Sequence, residues 1–156
     1  MRHDTIFRRL ALVVLLPLLA GAGPAGAWHG QYVCGQGLTA LDLTIKEPSP
    51  GRLTALFHFA ADPANPGVPE GCFSMAGRYD AASGAVRLDP GHWVMQPAGY
   101  VMVGLAGRLG REGRQIAGRV TRVPVCTVFS VARAVAFAFG VAAACQPAAA
   151  LIAAAG

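Results

Sequence analysis

The sequence predicts an all-β fold: an up-and-down barrel or strongly curled meander of about eight antiparallel strands. Three observations carry this. Apolar side chains recur at every second position through most of residues 30–131. Gly, Pro, Asp and Ser break these runs at short, regular steps. No stretch between them has the apolar spacing of a useful amphipathic helix. Strictly sequential hairpins favour the meander; a Greek-key β-sandwich is the alternative that the same pattern allows.

The chain has 156 residues, enough for one domain with flanking segments. Residues 1–27 read as a secretory signal peptide. Arg2, Arg8 and Arg9 form a basic start, residues 10–20 are apolar, and Ala25-Gly26-Ala27 fits a small-x-small cleavage site. The domain is then expected to occupy residues 28–132, in the periplasm or outside the cell.

A first short strand is expected at residues 30–34, before the turn Gly35-Gln36-Gly37. In the second, Leu41, Leu43 and Ile45 alternate with Asp42, Thr44 and Lys46. The third covers residues 53–60, with Leu53, Ala55, Phe57 and Phe59 on one face. Residues 62–70 hold Pro63, Pro66, Gly67 and Pro69 and read as the longest loop. In the fourth strand Phe73, Met75, Gly77 and Tyr79 share a face. A turn through Asp80 and Gly84 leads into the fifth, where Val86 and Leu88 alternate with Arg87. Asp89-Pro90-Gly91 is expected to stop it, because proline cannot donate to a ladder. An aromatic loop over residues 92–99 follows. Residues 100–108 read as a central strand, residues 115–120 as its hairpin partner, and residues 125–131 as the last strand.

Residues 133–156 form an alanine-rich apolar tail. Residues 134–156 carry no charge, and twelve of these 23 are alanine. The expectation is an apolar helix, either a membrane anchor or a segment folded back on the domain.

All four cysteines, Cys34, Cys72, Cys126 and Cys145, lie beyond the leader, which suits disulfides in an oxidising compartment. Cys34 and Cys126 sit in the first and last expected strands, neighbours in a closed sheet, so they are the favoured pair. Cys72 and Cys145 remain as a second pair or as free thiols.

Beyond residue 27, ten Lys and Arg face seven Asp and Glu, a net charge of +3. Arg108, Arg111, Arg114, Arg119 and Arg122 cluster, as a solvated hairpin face would. Basic and aromatic residues do not interleave, so nucleic acid is not an expected partner.

Sequence patterns here are similar to a known type. They include Gly30-x-Tyr32-x-Cys34-x-Gln36-Gly37, Asn65-Pro66-Gly67-Val68-Pro69-x-Gly71-x-Phe73 and Trp93-x-x-Gln96-Pro97-x-Gly99-Tyr100. Together with Cys126-x-x-Phe129 they resemble a small exported bacterial β-domain of no assigned activity. The resemblance covers about residues 28–131 and leaves out Cys72, Cys145 and the tail. It implies a compact disulfide-linked β unit and transfers no catalytic residue. In architecture alone the meander looks like avidin or lipocalin barrels, which says nothing about ligand.

No GxSxG elbow, phosphate loop, HExxH or dinucleotide fingerprint is present. No catalytic residue and no cofactor is assigned. Asp80 and Asp89 flank one hairpin and are the only carboxylates considered for a hydrolase. Spacing supports no metal site; His29 near a new amino terminus, and His58 with His92, are weak chelating combinations. The candidate ligand-binding residues are His92, Trp93 and Gln96 with Tyr79 and Tyr100, aromatic rings with polar tips suited to a sugar face or peptide. The competing reading makes Trp93 a core cap.

The expected function is an exported, non-enzymatic binding or interaction module at the cell envelope, its partner a glycan, peptide or protein. The alternatives are a structural module held at a membrane by its tail, and a small carboxylate hydrolase.

Overall fold

The structure is a computed structural model. It describes residues 23–134 and Cys145. Eight strands run in chain order: β1 (Gly26–Cys34), β2 (Gly37–Ser49), β3 (Arg52–Ala61), β4 (Gly71–Asp80), β5 (Ala85–Met95), β6 (Gly104–Leu109), β7 (Gln115–Thr121) and β8 (Val128–Ala134). Each pairs antiparallel with the next, and β8 pairs back onto β1, so the meander closes into a barrel. The sandwich alternative is excluded.

The two-residue period of each strand fixes its inner face. Trp28 and Tyr32 from β1, Leu41, Leu43 and Ile45 from β2, and Leu53, Phe57 and Phe59 from β3 are all buried. Phe73 and Met75, Val86 and Leu88, Leu105 and Leu109, Ile116 and Val120, and Phe129 and Val131 complete the interior. Phe57 stacks on Phe73 at 4.6 Å between centroids, and Tyr32 meets Phe57 edge-on at 5.3 Å.

Closing so small a circle bends the strands sharply, and glycine permits it. A Cβ on Gly77 would lie 1.8 Å from the Arg87 carbonyl oxygen of the next strand, and one on Gly118 would lie 2.2 Å from that of Ala106.

Several boundaries differ from expectation. β1 begins at Gly26, inside the stretch read as leader. The Trp28 indole donates to the Pro24 carbonyl at 2.8 Å, and Arg133 of β8 lies over the Trp28 ring at 4.3 Å. The same guanidinium donates to the carbonyls of Gly23 and Ala25, each at 2.8 Å.

Asp89-Pro90-Gly91 does not stop β5, which continues to Met95. β6 pairs with β5 only from Ala85 to Leu88. Pro90 therefore lies where that side of the strand carries no ladder, and its missing N–H costs no bond there. The register with β4 shifts nearby, between Cys72 and Met75. His92 and Trp93 consequently belong to a strand, not a loop.

Residues 100–103 are not strand. Pro97 and Tyr100 close a turn, the Tyr100 N–H donating to the Pro97 carbonyl at 3.2 Å, and β6 starts at Gly104. β8 starts at Val128, so Cys126 sits in the preceding loop, still close enough to bond to Cys34 at the end of β1. Cys72 and Cys145 form the second disulfide. Residues 1–22, within the stretch read as leader, and the tail beyond Ala134, apart from Cys145, lie outside the described residues.

Candidate functional site

The barrel has two ends. The hairpin turns after β2, β4 and β6 lie at one. At the other lie the longer connections: residues 62–70, 96–103 and 122–127, with the short turn Gly35-Gln36.

A mouth of about 290 Å³ opens at the long-loop end, lined by Tyr32, Gln36, Phe59, Tyr100, Val103 and Val123 among others. Each residue has a structural reason to be there. Phe59 and Phe73 are inward positions at the ends of β3 and β4. Tyr100 stacks on Phe59 at 5.4 Å with a 14° interplanar angle. Trp93 meets Phe73 at 5.1 Å and Phe59 at 6.3 Å, both edge-on. Tyr32 points its phenol to the rim, where Gln36 Nε2 donates to it at 2.9 Å. Burial pushes the Tyr32 phenol well up, against the opposing effect of the Gln36 hydrogen bond, so it stays neutral at physiological pH. Val101 and Val125 stand on the rim at 63% and 60% exposure, unusual for such side chains.

The sequence candidates divide. Tyr100 lines the mouth and Trp93 backs the aromatic wall beneath it. Gln96 donates through Nε2 to the Tyr100 carbonyl at 3.0 Å and so fixes the loop. His92 is exposed on the outer wall, its Nδ1 2.9 Å from Ser74 Oγ. Tyr79 is not part of this group. It lies six residues along β4 from Phe73, roughly 20 Å away at strand rise, and lines a concavity at the hairpin end.

One polar group escaped attention in the sequence. Asp42 and His58 point outward from β2 and β3 yet are 3% and 2% exposed. Asp42 Oδ1 lies 2.7 Å from His29 Nδ1, and Asp42 Oδ2 lies 3.4 Å from His58 Nδ1, an ion-pair distance without hydrogen-bond alignment. Glu70 Oε1 is 2.6 Å from His58 Nε2. Burial favours neutral His58, but the carboxylates of Asp42 and Glu70 outweigh it and raise its pKa. His58 and His92 therefore do not share a site. Among the described residues no group of three or more His, Cys, Asp or Glu could hold a metal ion.

The two aspartates considered for hydrolysis have other partners. Asp80 accepts from Ser83 Oγ at 2.7 Å and from the Ala82 N–H at 3.0 Å, which lowers its pKa. Arg122 donates to Asp89 at 3.0 Å and, with Arg87 near, lowers its pKa too. Asp80 pairs with Ala85, four residues from Asp89 along β5. That is roughly 13 Å of strand, beyond the separation of either glycosidase carboxylate arrangement.

Neither a protein-family model, nor a curated protein, nor a solved structure matches this chain.

Proposed function

We propose that this protein is an exported envelope module that binds through the mouth of its barrel. The observation that supports this most is the mouth lined by Tyr100 stacked on Phe59, backed by Trp93 and rimmed by the exposed Val101 and Val125. Stacked rings with an apolar rim accept a sugar face or an apolar peptide side chain. Two disulfides suit the oxidising compartment that export implies. Glycan and peptide libraries from the envelope, read by tryptophan fluorescence, provide the test. Trp93 reports on the mouth, while Trp28 is buried beside Arg133. A binder whose affinity falls at least tenfold in Tyr100→Ala supports the reading. Binding that ignores this substitution, or none across both libraries, refutes it.

A further inference from the structure

At the hairpin end, on the outer wall, the barrel aligns like charges. Arg52 of β3 is the register partner of Arg78 of β4, and Arg78 is the partner of Arg87 of β5. The row continues through Ala106 of β6 to Arg119 of β7. Partners across an antiparallel ladder point to the same side, roughly 5 Å apart, and like charges so placed destabilise a sheet. Arg87 has Asp89 at 3.4 Å as relief. Arg52 and Arg78 form no ion pair with any described residue.

One step closer to the turns a second row runs Asp80, Ala85, Arg108, Ala117. The alanines leave a floor between arginine stems. The result is a groove of about 800 Å³ bordered by Arg52, Arg78, Arg87 and Arg108. Among the described residues Asp80 is the single carboxylate lining this groove, and its oxygens already serve Ser83 and the Ala82 N–H.

We propose that this groove binds an anionic polysaccharide, its acidic groups held by Arg52, Arg78, Arg87 and Arg108. Arginine takes carboxylate, sulfate or phosphate through paired N–H donors. Anions spaced along a linear chain match arginines spaced by the strand separation. The concavity suits a chain lying across the strands better than a flat lipid surface. Single-stranded nucleic acid needs a series of aromatic platforms, whereas the outward positions here carry arginine and alanine. The groove is separate from the mouth, and neither reading depends on the other.

The test uses the full chain and two probes, a heparin octasaccharide and a polygalacturonate octamer, titrated by calorimetry over a range of salt. The wild type binds at least one, with affinity falling steeply as salt rises. Arg52→Ser with Arg78→Ser weakens binding at least tenfold and flattens the salt slope by on the order of two. The same pair leaves the thermal midpoint equal or higher, since it removes facing like charges. Ala106→Leu, which fills the floor without changing charge, weakens binding as well. Arg111→Ser with Arg114→Ser changes affinity less than twofold, and Tyr100→Ala has no effect. The proposal is overturned by no binding to either probe, by equal loss in the Arg111/Arg114 control, or by full binding after the Arg52/Arg78 change. It is also overturned if duplex DNA or phosphatidylglycerol vesicles bind more tightly through the same arginines.

Discussion

His58 ties part of the fold's stability to pH. It is buried on the outer wall, facing Asp42 from β2 and Glu70 from the following loop, with His29 of β1 on the far side of Asp42. Its folded pKa is raised, so the folded protein holds that proton more tightly than the unfolded chain. The stabilisation is complete below the unfolded value of about 6.5 and is lost as pH rises through the higher folded value. Thermal melts between pH 6 and 8.5 should show the midpoint of the wild type falling with pH. In His58→Gln that slope should flatten. The pairing was not within reach of the sequence. Counting from Ser49 opposite Arg52 would bring Asp42 opposite Phe59, and the register shift between Lys46 and Ser49 brings it opposite His58 instead. What the alternation hid was burial, since both residues occupy the face expected to meet water.

Each strand segment shows where local pattern governs and where tertiary context prevails. Phe57, Phe59, Phe73 and Met75 went inward as their spacing required. Pro90 failed as a stop signal because the strand next to it ends its pairing at Leu88. Residues 100–103 looked like strand, yet Tyr100 closes a turn with Pro97 and stacks on Phe59. Tyr79 and Tyr100 lie at opposite poles because β4 and β6 run the same way, and one residue ends the first while the other precedes the second. The start of β1 gives a sharp expectation. A chain beginning at Trp28 lacks two of the three carbonyls that Arg133 grips, and the Pro24 acceptor of Trp28. Compared with a chain beginning at Gly23, it should be less stable by about 1–3 kcal/mol, measured by denaturant unfolding.

The whole barrel depends on close backbone approach and on closure. Gly77→Ala forces a methyl against the Arg87 carbonyl and should destabilise by about 3 kcal/mol. Joining Cys34 to Cys126 spans 92 residues of chain. Replacing both by serine should cost about 4 kcal/mol on the chain-entropy account, a fall in thermal midpoint of roughly 10 °C or more. All-β class, meander order and this disulfide were legible because each follows from periodicity and short turns. The groove was not, because which arginines face each other depends on strand register and its shifts; of the mouth, Tyr100 was legible, while Tyr32 and Phe59 read only as core.

The ladders around the ring are unequal, and that has a consequence for motion. Nine residue pairs join β1 to β2, and six join β8 to β1 at a junction gripped by Arg133 at one end and Cys34–Cys126 at the other. Only four join β5 to β6. Transient opening should therefore start in the middle of the chain rather than where its ends meet. Amide exchange should be fastest, among the strands, along Leu105 to Arg108. Such breathing would widen the pole beside Tyr100, admitting guests larger than the resting aperture.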